Sequence, residues 1–438
     1  MIYISIGSNL GNRLLNIKKA LNLLKNHGFV LIKQSIIFET QAIISSNANS
    51  SWDKPYFNMV VQGTTNLLPN ELLTLLKKIE QQIGRKEPYN KWSPRAIDLD
   101  ILLWDNYCVD TPDLKIPHSQ LLNRPFLVHL IASLSLECRY VCANDNLYKD
   151  KTFAEIAHLI ENQGVIRSLV LEPQFVGILN ITPDSFSDGG LSFHKEDAVK
   201  NFIHLMDVGS SIIDLGAQST RPSAFMISED EEYTRLDNVL EELKGVIEKT
   251  ESLISIDTFL PEVIKRILKK YPIHCINLVK TNLDNDTLRL IADYNCKIVI
   301  MHSLTIPPQK QQCLDFNKSP IISLNIWAEQ EIAKLEKCGF DRKDIIFDPG
   351  IGFGKSVYQN LHILQNIQEF KKLGCKILVG HSRKSYISTF YNCRAEERDL
   401  ETIAISKYLA ENKVDYLRVH NVKDHQRFFV AQAYTFNK

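Results

Sequence analysis

An excess of either charge is missing from this sequence. Its 51 Lys and Arg residues balance 51 Asp and Glu residues, so no whole-chain field is available to hold nucleic acid or an anionic membrane. Local basic patches remain and suit small anionic ligands. No run of about 18 apolar residues occurs, which argues against a membrane-spanning helix. Met1 to Gly7 has no basic stretch followed by an apolar core and passes straight into a strand-like pattern, so no secretion signal is expected. The nine cysteines (Cys108, Cys138, Cys142, Cys275, Cys296, Cys313, Cys338, Cys375 and Cys393) are odd in number and scattered. They contain no C-x-x-C pair, which argues against a disulfide framework or a zinc site and suits a reducing compartment. A soluble, cytoplasmic protein with no nucleic-acid or membrane partner is expected. What is present is 438 residues, 44% of them apolar, too many for one ordinary domain and comfortable for two.

The first third alternates strand and helix signals. Ile2–Ile6 is a short β-branched run, Arg13–Lys25 carries leucines at helical spacing, and Phe29–Phe38 and Tyr56–Thr65 read as strands. Pro69 opens a helix with Leu72, Leu76, Ile79 and Ile83 on one face, closed by Gly84, and Ile97–Trp104 is a further strand. The order β-α-β-β-α-β predicts an α+β domain of ferredoxin-like type. Gln41–Lys54, rich in Ser and Asn, is a long polar loop and so a functional or mobile one. Lys151–Gln163 suits one more helix, and the boundary is placed near Ser168–Pro173, giving domains 1–168 and 173–438.

Arg95-Ala-Ile-Asp98-Leu-Asp100-Ile-Leu-Leu is the sharpest feature of this domain. Side chains two apart on a strand share a face, so Ile97, Leu99, Ile101 and Leu103 point one way and Asp98 and Asp100 the other. Two carboxylates roughly 7 Å apart can bracket Mg²⁺ ions that also bind nucleotide phosphates; a solvated strand face is the plainer use of such a pair. Arg85, Lys86, Lys91, Arg95, His118 and Arg124 could neutralise phosphate charge. Trp92 suits either a core position or a wall for a flat ligand.

Gly7-Ser-Asn-Leu-Gly11, Phe38-Glu-Thr40, Tyr56-Phe-Asn58, Trp92-Ser-Pro-Arg95, Asp98-Leu-Asp100, Pro117-His118 and Asn123-Arg-Pro-Phe126 together resemble 6-hydroxymethyl-7,8-dihydropterin pyrophosphokinase over about residues 1 to 140. The resemblance implies transfer of pyrophosphate from ATP, the co-substrate, to the pterin hydroxymethyl group, with release of AMP. It implies that Asp98 and Asp100 hold Mg²⁺ and that Glu80, Arg85, Trp92, Arg95 and His118 form the nucleotide site. Arg95 and Arg124 would act on the transferring phosphates. Thr40, Tyr56, Asn58 and Phe126 would bind the pterin. Gln41-Ala-Ile-Ile44 departs from the family's usual Pro and Gly, and Ser93 replaces a common Gly.

Beyond residue 173 the rhythm changes. Phe175–Leu179, Ser211–Leu215, Leu253–Ile256, His274–Ile276, Lys297–Met301, Asp344–Phe347, Lys376–Val379 and Tyr416–Val419 read as strands with helical stretches between them. That pattern predicts a (β/α)8 TIM barrel. Such barrels carry reactive groups at the strands' C-terminal ends, where this sequence has Asn180, Asp214, Asp257, Asn277, His302, Asp348, Ser382 with Lys384, and His420. Asp348-Pro-Gly-Ile-Gly-Phe-Gly-Lys355 lacks Walker spacing, because Pro349 stands where Gly is required. Asp257 and Asp348 could bond an amino-pyrimidine edge, or cap helices.

Gly177-Ile-Leu-Asn180 through Phe186 and Asp188, Ser219-Thr-Arg-Pro222, Asp348 to Lys355, Ser382-Arg-Lys-Ser385 and Arg418-Val-His420 resemble dihydropteroate synthase over essentially all of 173–438. The resemblance implies condensation of a pterin pyrophosphate with para-aminobenzoate. Asn180 would ligate Mg²⁺; Arg221, Arg418 and His420 would hold pyrophosphate. Thr220, Asp257, Asn277, Met301, Asp348 and Lys384 would line the pterin pocket. Phe186, Ser219, Pro222, Phe353 and Ser385 would shape the para-aminobenzoate site. Lys384, Arg418 and His420 are expected to carry catalysis. Leu278 and Asn421 stand where the family usually has Asp, which removes carboxylates that could orient Asn277 and His420.

The two families catalyse successive steps, so a bifunctional folate-biosynthesis transferase is expected. The alternative is an active synthase with a non-catalytic pterin- or ATP-sensing N-terminal module. A metal-dependent barrel hydrolase is disfavoured because no paired-His cluster is present. Barrel exteriors often dimerise, which leaves a homodimer open.

Overall fold

The computed structural model describes residues 1–42, 49–85, 93–141, 147–181, 195–218, 226–247, 250, 252–309, 311–389 and 391–435. The chain divides into two compact units, Met1–Leu171 with Arg427–Lys438, and Glu172–Gln426. Among the described residues no helix is long and apolar enough to cross a membrane.

The first unit runs β1 (Ile2–Ser8), α1 (Arg13–Asn26), β2 (Val30–Gln34), β3 (Ile37–Thr40), β4 (Tyr56–Thr64), α2 (Pro69–Ile83), β5 (Asp98–Trp104), the short β6 (Val109–Asp110) and β7 (Lys115–Ile116), α3 (Pro125–Leu134), α4 (Phe153–Leu159) and β8 (Val165–Leu169). The sheet order is β5-β1-β4-β3-β8, with β2 also on β4, and the strand pairs in it are antiparallel. The first four positions of that order are the ferredoxin-like arrangement expected from the sequence; β8 extends the edge. The expected strand over Phe29–Phe38 is two strands. Ser35 separates them, its Oγ accepting from Val60 N–H at 2.9 Å and its own N–H donating to Val60 O at 2.9 Å.

Both faces of this sheet are covered. Ile2, Ile4 and Ile6 of β1 pack with Ile17, Leu21 and Leu24 of α1 and Leu72, Leu76 and Ile79 of α2. Tyr3, Phe38, Val60 and Leu102 pack on the other face with Phe126 to Leu134 of α3, and with Phe153 and Ile156 of α4. Val430 and Ala433 pack against this second cluster, which is why the C-terminal segment sorts with the first unit rather than with the second domain. Pro69 opens α2, Glu71 accepts from the Leu68 N–H at 2.8 Å, and Gly84 ends it at φ 120°.

The second unit is a closed parallel barrel of β9 (Gln174–Asn180), β10 (Ile212–Gly216), β11 (Leu253–Asp257), β12 (Cys275–Leu278), β13 (Lys297–Met301), β14 (Ile345–Asp348), β15 (Lys376–Val379) and β16 (Tyr416–Val419). Helices connect them: α5 (Lys195–Asp207), α6 (Glu229–Ile247), α7 (Pro261–Lys270), α8 (Asn285–Asp293), α9 (Pro320–Lys337), α10 (Val357–Gln365) and α11 (Asp399–Glu411); α12 (Val422–Thr435) follows the last strand, and only its start, up to Gln426, belongs to this unit. Three of the expected strands, β13, β15 and β16, match at both ends.

Val176, Ile212, Leu253, Cys275, Val299, Ile346, Leu378 and Tyr416, one from each strand, form a single apolar cluster. This is an inward-facing row of the barrel. Counting on by two along each strand gives Ile178, Asp214, Ser255, Asn277, Met301, Asp348, Gly380 and Arg418. A further two gives Asn180, Gly216, Asp257, Val279, Ser303, Gly350, Ser382 and His420. The barrel is plugged with hydrocarbon at one level and turns polar toward the C-terminal mouth.

One glycine in the first sheet is required by packing. A Cβ on Gly63 of β4 would lie 2.4 Å from Val30 O and 2.5 Å from the Phe29 ring. Gly63→Ala is therefore expected to lose about 1–3 kcal/mol in urea unfolding, and an unchanged midpoint would contradict this packing.

Candidate active sites

In the first unit the site is assembled by strand register. Gly7 of β1 is paired with Asn58 on β4 and with Asp98 on β5. A Cβ on Gly7 would lie 3.0 Å from Asn58 Oδ1, 3.6 Å from the Tyr56 ring and 3.9 Å from Asp98, so glycine keeps this face open between them. Asn58 donates to Thr40 Oγ1 at 2.9 Å. Burial raises the Tyr56 phenol above its ordinary pKa.

Asp98 and Asp100 share a face of β5, as the alternation predicts. Asp98 accepts from Arg95 at 2.9 Å and from Arg85 at 3.2 Å. Burial works against its charge, but Arg95, Lys77 and Arg85 outweigh that and hold the carboxyl below its ordinary pKa. The Asp100 carboxylate lies 3.9 Å from His118 Nε2. Burial pushes the His118 imidazole down, with Arg124 adding to the effect and Asp100 opposing it.

Glu80 is fully buried on α2. It accepts from Lys77 at 3.0 Å, from the Leu99 N–H at 2.8 Å and from Arg85. Its role here is to fix Arg85 and the backbone of β5 between the two aspartates. Arg124 is the residue before α3, and Phe126 is buried in that helix. Asn9 was not singled out from the sequence, although it lies in the Gly-Ser-Asn segment. It accepts from the Arg95 N–H at 2.8 Å and donates its own N–H to Arg95 O at 3.2 Å, and so holds the arginine that faces Asp98.

In the barrel, the polar rows place Asn180, Asp257, Asn277, Met301, Asp348, Arg418 and His420 on the inward face. Arg418 donates Nε to Asp214 at 2.7 Å and a terminal nitrogen to Asp257 at 2.7 Å. Asn277 donates to the same Asp214 oxygen at 2.9 Å. Burial pushes the Asp257 carboxyl up to about 7; Arg418 opposes this, while Asp214 and Glu232 add to it. Burial also raises Asp348, which accepts from the Gly350 N–H at 2.8 Å. Lys384 is pushed down to about 8 by burial and by Arg418, and its Nζ lies 4.2 Å from the Phe353 ring centre. Phe353 packs with Val279 and Met301.

His420 Nδ1 lies 2.9 Å from Ser382 Oγ, and burial with the nearby cations pushes its pKa to about 3, leaving it neutral. Ser385 is exposed on a short turn after Lys384, its carbonyl accepting from Ser388 Oγ at 2.6 Å. Trp92, Phe186, Ser219, Thr220, Arg221 and Pro222 lie outside the described residues, as do Lys86 and Lys91.

The structure changes three details of the sequence reading. Asp214 was seen only as a polar strand end; it is 1% exposed and is the acceptor shared by Arg418 and Asn277, which supplies the carboxylate that Leu278 does not. His302 does not face the mouth: its ring packs edge-on against Trp327 of α9 at 5.0 Å. Asn421 also has a use of its own. Its amide donates to Asp399 at 3.0 Å and to Asp424 at 2.9 Å, and Asp399 holds Arg383 at 2.6 Å and 2.8 Å.

Residues 3–135 match the family described as 7,8-dihydro-6-hydroxymethylpterin-pyrophosphokinase, and residues 176–420 the family described as pterin binding enzyme. The chain is 39% identical over 439 residues to the folate synthesis bifunctional protein of Chlamydia caviae, covering 99% of this chain and 98% of that protein. Among solved structures, dihydropteroate synthase from Anaplasma phagocytophilum with bound 6-hydroxymethylpterin-monophosphate is 32% identical at a TM-score of 0.54, covering 59% of this chain and 97% of that one. Dihydropteroate synthase from Xanthomonas albilineans with 4-aminobenzoic acid is 32% identical at a TM-score of 0.54, covering 62% and 96%.

Two outcomes follow from the charge arrangement. Arg418→Met strips the cation from the buried Asp214 and the half-buried Asp257 and is expected to cost about 3–5 kcal/mol at pH 8. Buried acids with raised folded-state pKa destabilise above the unfolded value and stop doing so once protonated. Without Arg418 the Asp257 carboxyl takes up its proton at a higher pH than in the parent, so the deficit should shrink as pH falls toward about 7, where the parent's Asp257 is protonated too, measured by urea midpoints; a deficit constant with pH would contradict the arrangement. Asn421→Asp places a third carboxylate beside Asp399 and Asp424, and should lower stability by about 1–3 kcal/mol in the same measurement.

Proposed function

The chain belongs to the folate synthesis bifunctional proteins, joining a pyrophosphokinase and a dihydropteroate synthase in one polypeptide, and on that footing we propose how its residues divide the two reactions. Residues 1–168 take ATP and 6-hydroxymethyl-7,8-dihydropterin; residues 173–438 take the resulting pterin pyrophosphate and para-aminobenzoate. The observation that carries the reading is the convergence, within each unit, of buried or half-buried carboxylates and cations that lie apart along the chain. The free thiols among the described residues suit the cytoplasm, and a two-fold homodimer through the barrel exterior would be the commonest assembly.

In the kinase half, Thr40, Tyr56, Asn58 and Phe126 hold the pterin, and Glu80, Arg85, Trp92, Arg95 and His118 form the nucleotide site. The donor set fits Mg²⁺: two strand carboxylates on one open face, Asp98 kept ionised by its neighbours, with phosphate oxygens completing the shell. When bound there, Mg²⁺ neutralises charge on the ATP phosphates. The pterin hydroxymethyl oxygen bonds to the β-phosphorus and gives up its proton to solvent, the bond from that phosphorus to the oxygen bridging the α-phosphate breaks, and AMP leaves with the bridging oxygen. Arg95 and Arg124 neutralise charge on the transferring group. For Arg95 and Arg85 this requires exchanging part of their hold on Asp98 for phosphate oxygens.

In the synthase half, Asp257, Asn277, Met301, Asp348 and Lys384 orient the pterin with Thr220, and the raised carboxyls of Asp257 and Asp348 suit hydrogen bonding to a neutral amino-pyrimidine edge. Phe353 and Ser385 take para-aminobenzoate, and by the family resemblance Ser219 and Pro222 would share that role while Arg221 would hold pyrophosphate. Asn180 offers one amide oxygen at the mouth, which with diphosphate oxygens suits Mg²⁺. The pterin carbon–oxygen bond breaks, pyrophosphate departs toward Arg221, Arg418 and His420, and the amine nitrogen bonds to the carbon and releases its proton. Neutral His420 can donate one N–H to the departing oxygens while its Nδ1 faces Ser382.

Full-length protein given ATP, Mg²⁺, 6-hydroxymethyl-7,8-dihydropterin and para-aminobenzoate should yield AMP and dihydropteroate. Asp98→Ala should cut AMP release at least about 100-fold, and added pterin pyrophosphate should restore dihydropteroate formation. Undiminished AMP release by that variant overturns the kinase assignment. A parent protein that turns over no ATP favours a sensing N-terminal module.

A further inference from the structure

The loop between β14 and α10 contains Gly350, Gly352 and Gly354, all at positive φ (68°, 83° and 68°). Glycines give a loop little conformational preference of its own, yet this one carries Phe353, whose ring closes the apolar side of the barrel mouth against Val279 and Met301. Lys355 is what bolts it down. Its buried ammonium donates to Phe353 O at 2.8 Å and to His302 O at 3.2 Å, and lies 3.0 Å from His302 Nδ1. Burial pushes its pKa down to about 7; when protonated the nitrogen has three N–H donors, which match two carbonyls and one ring nitrogen.

The His302 ring is buried and stands edge-on against Trp327. Gly350 is held at the same place: a Cβ there would fall 1.9 Å from His302 O and 3.3 Å from Lys355 Nζ. From the other side, Asn360 accepts from the Gly352 N–H at 2.8 Å and donates to Lys355 O at 3.2 Å. A buried ammonium bonded to neutral acceptors is a poor source of stability. What it supplies is direction, since one atom ties the end of β13 to the backbone of Phe353.

We propose that Lys355 is a positioning residue for the aromatic-amine half of the synthase reaction, locking the glycine loop to the end of β13 so that the Phe353 ring stands where the amine substrate packs. The proposal rests on the reading that Phe353 shapes the para-aminobenzoate site. Lys355 itself touches neither substrate.

The test is steady-state kinetics of the full chain supplied with pterin pyrophosphate. Lys355→Met should raise KM for para-aminobenzoate at least about tenfold while kcat and the KM for pterin pyrophosphate each stay within about threefold. A merely structural role would lower the active fraction, and with it kcat, leaving KM in place. His302→Phe removes one of the three acceptors and should raise the same KM by a smaller factor; it decides the matter if Lys355→Met does not fold. Phe353→Ala is measured alongside. An unchanged amine KM in folded Lys355→Met, or in His302→Phe when the first variant is insoluble, overturns the proposal. If Phe353→Ala raises that KM and the Lys355 variant does not, only the lock fails. If Phe353→Ala leaves it unchanged, the reading of Phe353 fails, and the lock with it.

Discussion

Asp98 and Asp100 leave one face of β5 because side chains alternate along a strand, and the same alternation sends Asp214, Asn277, Asp348 and Arg418 to the barrel axis just above a row of hydrocarbon. Neither site could be built with its residues one position out of step. A single-residue slip in β5 would bury both carboxylates among Ile97, Leu99 and Ile101. In the barrel it would turn the polar rows toward the helices. Register is held by the apolar residues that share these strands, so the packing that stabilises each unit also sets its chemistry.

Charge is handled differently in the two units. In the first, Asp98 is surrounded by Arg95, Lys77 and Arg85 and stays ionised, the condition for ligating a hard cation. Glu80 serves as the buried anchor from which Arg85 reaches it. In the barrel, the buried Asp214 and the half-buried Asp257 share one guanidinium, and desolvation pushes Asp257 to about 7. A carboxyl near neutrality suits a ligand recognised through hydrogen bonds, whereas a depressed one suits a metal. The difference comes from how many cations surround each group, since both are aspartates on strand ends.

The positions that depart from the family pattern are explained by their neighbours. Leu278 is buried, and Asp214 orients Asn277 from the adjoining side of the barrel. Asn421 sits between Asp399 and Asp424 and donates to both, which an aspartate could not do. Arg383, held by Asp399, then carries the chain at φ 57° from Ser382 into Lys384, so this network also sets the turn that presents the lysine.

Periodicity was enough for the barrel strands and for the ferredoxin-like core of the first unit, though not for α3 or the edge strand β8. The (β/α)8 rhythm, the ferredoxin-like order and the shared face of Asp98 and Asp100 follow from local spacing, because apolar alternation and helix punctuation act over a few residues. Ser35 was invisible as a break, since what splits the expected strand is a hydroxyl replacing a ladder partner on a strand 25 residues away. Asp214 reads in sequence as one polar strand end among eight; only closure of the barrel brings it between Arg418, 204 residues on, and Asn277. His302 and Lys355 were legible as residue types, but their pairing depends on where a glycine loop folds back, and glycine leaves no local signal of that direction. The sequence by itself determined most of the elements, the two families and the side of each strand that carries chemistry. Tertiary structure decided which charges meet, because a buried ion finds its partner through space and not along the chain.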